Sequence, residues 1–373
     1  MRWVFWIAAI VIAYTYVGYP MWLWVRSRWS PRPVRRGAIE PTVSVLMVVR
    51  NEEAVIERKL ENLLTLDYPA EKLEVVVVSD GSTDRTQAIL GRYAHHPKVQ
   101  VLLKELSEGK AAGLNDAMRM ATGEIAMFTD ARQAIEAGAL RLAIENFADS
   151  EVGCVSGELM LGDPDSGETE RGMGMYWLIE KKIRELESAS GSVAGATGAV
   201  YCARRDLLAP LPEGTILDDV LLPMQAVRRG GRVVFDSRAR AWDAPNLGDS
   251  REFGRKVRTL SGNYQLLQLA PWLLSSKNPI RFEFVSHKLM RLAVPFALLA
   301  VFLASAFIAD PFYRAVLFAQ VIFYALSLTA LAGFRFGPFS RVADVARTFV
   351  VLNSAAVVAF VNFVTGRKAA WVR

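Results

Sequence analysis

Asp80 follows four consecutive valines and a serine, and Gly81, Ser82, Thr83 and Asp84 come after it. Such an apolar, β-branched run suits a strand buried on both faces of a parallel sheet. The turn and cap residues behind it suit a strand-to-helix turn. In open α/β sheets, ligands bind just past the carboxyl ends of the strands. A carboxylate held there can accept a hydrogen bond from a nucleobase N–H or a ribose hydroxyl, and a plain surface turn is the alternative. Two more apolar runs end similarly: Val43–Val49 in Arg50-Asn51-Glu52-Glu53, and Ile125–Phe128 in Thr129-Asp130-Ala131-Arg132. Further along stand the adjacent carboxylates Asp218 and Asp219. Arg255 and Arg258 follow, one helical turn apart, so that both can face one diphosphate.

A βαβα succession must position these groups. Between the second and third runs, Glu108-Gly109-Lys110 opens a helical stretch. Alternating strands and helices argue for a doubly wound α/β sheet. Residues 162–170, rich in Gly, Asp and Pro, read as a mobile loop.

The chain has 373 residues, 52% of them hydrophobic, enough for one large core plus membrane segments. Trp3–Val25 is almost free of charge and its length suits one membrane helix. Arg26, Arg28, Arg32, Arg35 and Arg36 follow, which places that end and the next domain in the cytosol. Leu292–Ala309 and Val316–Ala332 are two further spans, and Phe349–Val364 is a weaker third. Three C-terminal spans put Arg367, Lys368 and Arg373 outside, against the charge rule, so a re-entrant last helix stays open beside the favoured third crossing. Two cysteines, Cys154 and Cys202, form no disulfide framework. A net charge of +6, with arginines beside apolar segments, does not point to nucleic acid.

The segments VSVLMVVRNEE, VVVVSDGSTDRT, EGKAAGLNDAM and ATGEIAMFTDA stand in the order and spacing of family 2 glycosyltransferases. The resemblance runs from about Val43 to Tyr264. It implies the GT-A fold, the doubly wound α/β sheet of nucleotide-diphospho-sugar transferases, here joined to transmembrane helices. No G-x-G-x-x-G follows a first strand, which disfavours a dinucleotide-binding dehydrogenase.

The resemblance implies residue roles. Asp80 matches an aspartate set against uracil, and Asn51 and Glu52 line the same donor pocket. Lys110 reaches a phosphate. Asp130 opens the D-x-D metal motif and would hold Mg²⁺ or Mn²⁺ through one carboxylate and the donor's phosphates. Arg132 replaces the second aspartate, so it either faces the diphosphate or pairs with Glu136, four residues on. Asp218-Asp219 matches the catalytic carboxylate pair, with Asp219 as general base. A helix-capping pair is the alternative. Residues 253–264 resemble the Q-x-x-R-W region of processive polysaccharide synthases, with Arg255 for Gln, Arg258 retained and Thr259 for Trp. Residues 195–199 lie where the acceptor pocket is shaped. His287, in Ser286-His287-Lys288, reads as an interfacial structural residue, with a headgroup contact as the alternative.

The organisation expected is a membrane helix over residues 1–25, a basic linker over 26–41 and a GT-A domain over 42–250. An interfacial region with the RxxR motif over 251–288, C-terminal membrane helices over 289–366 and a tail over 367–373 complete it. The function expected is inverting transfer from a nucleotide-diphosphate sugar, a UDP-sugar by resemblance, to a membrane-associated polysaccharide or lipid-linked acceptor. The partners are the donor, that acceptor, membrane lipids and export or assembly proteins, at the inner membrane. Single-sugar transfer to a polyprenyl-linked acceptor and a nucleotide-binding scaffold without activity are the rivals.

Overall fold

The computed structural model describes residues 1–162, 175–243, 249–334 and 340–367. The expected loop beyond Gly162 lies outside the described residues, as do Lys368 and Arg373. In chain order the elements are α1 (Arg2–Trp29), β1 (Val43–Val49), α2 (Ile56–Leu64), β2 (Leu73–Asp80), α3 (Thr86–Tyr93), β3 (Val99–Lys104), α4 (Lys110–Met120) and β4 (Ile125–Phe128). Then come β5 (Ala134–Ile135), α5 (Ala139–Ile144), β6 (Val152–Leu161), α6 (Met175–Ser190), β7 (Tyr201–Arg204), α7 (Asp218–Arg228), β8 (Arg232–Asp243) and α8 (Asp249–Leu269). The chain continues through α9 (Arg281–Phe307), α10 (Pro311–Leu331) and α11 (Ser340–Val364).

The three apolar runs are β1, β2 and β4. Every residue of β1 is buried, and every residue of β2 except Glu74. Side chains alternate between two cores, as the strand period requires. Val43, Val45 and Met47 pack with Ile56 and Leu60 of α2, whereas Leu46 and Val48 pack with Leu114 of α4. The sheet order is β3-β2-β1-β4-β7-β6-β8-β5. The first four strands are parallel, so the turns after β1, β2 and β4 share one edge. β7 runs antiparallel to both its neighbours, which makes the second half of the sheet mixed. Cys154 and Cys202 are free and buried.

The linker after α1 has no regular structure, yet it is fastened to the domain. Arg32 pairs with Glu151 at 2.8 Å, and Arg36 donates to Asn146 at 3.0 Å. These arginines therefore serve the domain surface as well as the charge asymmetry.

Among the described residues, four helices are long and apolar enough to cross a membrane: Arg2–Trp29, Arg281–Phe307, Pro311–Leu331 and Val342–Val364. The first runs past residue 25, and the second begins before residue 289. Arg2 meets Asp310 at 3.6 Å, so the turn between α9 and α10 lies at the end of α1 remote from the domain. α10 then returns. Phe360 and Phe363, in the last turns of α11, meet Tyr264 of α8 at 5.8 and 5.3 Å. The end of α11 thus packs on α8.

Candidate active site

The carboxyl edge of β1, β2 and β4 gathers the expected residues. Asp80 has no exposed surface. Its oxygens accept from the Ser107 hydroxyl at 2.7 Å, the Glu108 amide at 2.8 Å and the Gly109 amide at 3.0 Å. The sequence sets this carboxylate against a nucleobase; in the structure it also braces the loop that delivers Lys110. Gly81 permits that approach, because a Cβ on it would lie 2.4 Å from the Ser107 nitrogen, and its φ is +61°. Asn51 bonds to the turn after β2. It adopts φ 55°, a conformation asparagine tolerates, and its side-chain oxygen accepts from the Thr83 amide at 2.7 Å.

Lys110 is the hub. Its ammonium lies 2.9 Å from Asp130 Oδ1 and 3.1 Å from Asp218 Oδ1. Burial works against its charge, but the Asp130 and Asp218 carboxylates outweigh it and hold the amine above the usual lysine range. Asp218 is only 4% exposed. Asp218 and Asp219 start α7, and neither provides a side-chain cap to it, contrary to the capping alternative. The Asp219 carbonyl accepts from the Ala196 amide at 2.7 Å and so ties the 195–199 loop to the carboxylate pair. Within that loop, a Cβ added to Gly198 would lie 3.4 Å from Asp130 Oδ2 and 3.5 Å from Asp219 Oδ2. Both carboxylates therefore border one small space. Burial pushes the Asp219 carboxyl up to about 6; Asp218 adds to the rise, and Lys110 and Lys288 oppose it.

Arg132 is exposed and makes no ion pair with Glu136 among the described residues. Burial raises the Glu52 carboxyl above its usual range, with Arg132 opposing and Asp130 adding to the shift. Burial lowers Arg255, and Arg132 lowers it further through like charge. Arg132, Glu52, Asp130 and Arg255 thus lie within electrostatic reach of one another. Glu136 instead accepts from the Trp242 indole at 2.7 Å. Arg258 is half-buried, one turn along α8 from Arg255.

Two side chains escaped the sequence. Lys59, on the buried face of α2, donates to Thr129 Oγ1 at 2.9 Å and to the Gln133 carbonyl at 2.6 Å, holding the Asp130 turn from both ends. Burial pushes its amine down to about 7. Tyr201 is buried against Phe128, and its hydroxyl has no partner among the described residues. Burial raises that phenol, and the charges of Asp218, Asp219 and Asp130 raise it further. An apolar run gives no signal for a lysine that faces inward, nor for a tyrosine aimed at carboxylates.

The oxygen-only donor set suits Mg²⁺ or Mn²⁺. Among the described residues, no three His, Cys, Asp or Glu side chains converge to cage an ion. The space beside Gly198 and Asp130 Oδ2 fits a cation shared between Asp130 and the phosphate oxygens of a ligand, but not an all-protein cage.

Residues 44–210 match the family described as Glycosyl transferase family 2. Beta-monoglucosyldiacylglycerol synthase of Synechocystis sp. is 29% identical over 191 residues, covering 50% of this chain and 40% of that protein. Poly-beta-1,6-N-acetyl-D-glucosamine synthase of Staphylococcus aureus is 23% identical over 229 residues, covering 60% and 55%. The chain therefore spans about half the length of these curated relatives. The mannosyltransferase PcManGT from Pyrobaculum calidifontis, solved in complex with GDP-Man and Mn²⁺, superposes with a TM-score of 0.72 at 25% identity, over 98% of this chain and 99% of that one. The matched motifs, the twisted sheet and the carboxylates at its edge agree: residues 44–210 are a family 2 glycosyltransferase domain with the GT-A architecture.

Proposed function

We propose that the protein transfers a sugar, with inversion, from a nucleoside-diphosphate sugar to an acceptor at the membrane surface. The observation that carries this is the convergence of Lys110, Asp130, Asp218 and Asp219 on the space beside Gly198. The acceptor hydroxyl attacks the anomeric carbon while Asp219 takes its proton. The bond from that carbon to the diphosphate breaks, and the leaving diphosphate keeps the electron pair. Lys110, Arg132 and Arg255 stabilise the charge developing on it. A divalent cation on Asp130 would neutralise part of the same charge. Asp80 and Lys59 hold the turns that present these groups. A carboxyl poised near pH 6 suits a base, since it is ionised at neutral pH yet more basic than a free aspartate.

A UDP-sugar is the donor the sequence motifs favour, and the GDP-Man in the mannosyltransferase adds a GDP-sugar to the candidates. The test is release of nucleoside diphosphate by purified full-length protein from a panel of UDP-, GDP- and CDP-sugars, in membrane vesicles. Release from none of them by folded protein would leave the nucleotide-binding scaffold as the reading. Thr259, exposed on α8 where processive synthases carry a tryptophan, favours addition of one sugar over chain extension. Product length on a gel separates the two. The four apolar helices support a site at the cytosolic face of a membrane.

Arg132 carries a further prediction. A fixed cation within electrostatic reach of Asp130 is expected to lower the need for a divalent ion. Activity should persist in part in EDTA, and Arg132→Asp should make it strictly dependent on Mg²⁺ or Mn²⁺. If wild-type activity vanishes in EDTA and the substitution leaves the metal titration unmoved, Arg132 has no share in the site.

A further inference from the structure

Residues 208–217 lead into α7 without regular secondary structure. Pro210 and Pro212 stand within this strap and have no amide hydrogen to donate. The strap ends at Leu217, whose carbonyl accepts from the Val220 and Leu221 amides at 3.3 and 3.0 Å. It therefore sets the first turn of α7, and with it Asp218 and Asp219.

Two side-chain amides hold the strap, each by a pair of hydrogen bonds. Asn115 of α4 accepts from the Leu211 amide at 2.7 Å and donates to the Leu211 carbonyl at 2.9 Å. Gln265 of α8 accepts from the Ile216 amide at 2.9 Å and donates to the Gly214 carbonyl at 2.9 Å. Gly262 lets α8 come close enough for this. A Cβ on it would lie 2.5 Å from Leu217 Cγ and 3.1 Å from Ile216 Cγ2.

The two clamps come from the helices that carry the donor-side cations. Asn115 lies on α4, which Lys110 opens. Gln265 lies on α8 with Arg255 and Arg258. Residues 255, 258, 262 and 265 are spaced i, i+3, i+7 and i+10, which is one stripe of a helix. Leu260 and Tyr264 fall on the other side of α8 and pack with Leu289 and Leu292 of α9 and with Ala359 and Phe363 of α11. α9 is itself fastened just before that contact. Leu289 ends a π turn, Val285–Leu289. There His287 Nδ1 lies 2.8 Å from Glu187 Oε1 of α6, and Nε2 lies 3.1 Å from Glu180 Oε1. At the same turn the Ser286 and Tyr14 hydroxyls bond at 2.7 Å and join α9 to α1. α8 is therefore pinned between the apolar helices and the strap.

We propose that Gln265 is a positioning residue for the carboxylate pair. Acting through residues 214–217, it sets Asp219 relative to the arginines on its own helix, while Asn115 sets the other end of the strap relative to Lys110. The proton acceptor is thereby kept in register with the cations that stabilise the leaving diphosphate. This rests on the transfer reading above and deepens it by a residue that takes no part in the chemistry itself.

The test compares full-length wild type, Gln265→Leu and Gln265→Glu, each checked by thermal unfolding, with the donor the panel identifies. Leucine removes both hydrogen bonds. Glutamate keeps the acceptor for the Ile216 amide and loses the donor to Gly214. Gln265→Leu should lower kcat by about tenfold to 10²-fold, the scale of a small misplacement away from the reacting atoms. The KM for donor and the nucleotide affinity should hardly change, and Gln265→Glu should recover part of the loss. In an Asp219→Asn background, Gln265→Leu should cost little more, because the group it positions is already disabled. Equal losses in both backgrounds would make Gln265 a purely structural residue and overturn the proposal, as would an unchanged kcat. Hydrogen exchange needs no donor. Gln265→Leu should speed exchange at Ile216, Val220 and Leu221 and leave β1 protected; wild-type rates at Val220 and Leu221 also overturn the proposal. A wild type that turns over no donor, in a protein whose strap loosens in Gln265→Leu, defeats the transfer reading alone.

Discussion

Asp219→Asn is expected to lower turnover by about 10²–10⁴-fold, the usual contribution of a general base. The amide keeps the shape but cannot take the acceptor's proton. Nucleotide affinity should stay close to wild type, because the donor groups Lys110, Arg132 and Arg255 remain. The pH profile supplies the second arm. The Asp219 carboxyl is raised to about 6, so below that pH it is protonated and cannot act as base. kcat/KM should therefore fall as pH drops through about 6 and level off above it. The Asn variant should lose that acid limb. Near-normal turnover in a folded Asn variant would move the base role elsewhere in the cleft.

Lys110→Gln should cost about 10²–10³-fold in turnover, the scale seen when one preorganised group aimed at developing charge is removed. Two effects combine. The leaving diphosphate loses a buried cation, and Asp130 and Asp218 lose their shared partner. Asp218 is 4% exposed, so stranding its charge should also lower stability by about 3–5 kcal/mol. Lys110 is one of the charges that hold the Asp219 carboxyl down. The acid limb should therefore move to higher pH in Lys110→Gln. A lysine with only a structural role would change the unfolding temperature but leave that limb in place, and this is the outcome that would remove Lys110 from the chemistry.

The parts of the site legible in the sequence are those written locally. β-branched runs that break into carboxylate turns gave three strands and one sheet edge, because a buried parallel strand needs continuous apolar sequence and its turn needs Gly, Ser, Thr or Asp. Asp218 and Asp219 were legible as neighbours, and the Arg255–Arg258 spacing as one turn of helix. What depended on distant residues was not. Asp80 occupies the expected turn, but the 107–109 loop folds over it and takes up its oxygens. The pairing of Arg132 with Glu136 assumed a helix, whereas the segment leads into β5 and α5 begins only at Ala139. An i,i+4 pair has no meaning without helical spacing. Lys59 and Tyr201 stand at core positions whose neighbours come from other elements.

The π turn in α9 has a consequence for helical phase. A single extra residue rotates everything beyond it by about 100° around the axis relative to an unbroken α-helix. The wheel that describes Leu292–Phe307 therefore does not extend back through Ser286, His287 and Lys288. The two halves of one continuous rod answer to different partners, apolar side chains of neighbouring helices on one side of the bulge, polar groups of α1 and α6 on the other. Deleting one residue between Val285 and Leu289 would re-phase them: with the apolar half held in place, the polar half would turn away from Glu187 and Glu180. The bulge lets a helix chosen for hydropathy carry a differently aimed polar face, and it leaves no trace in composition.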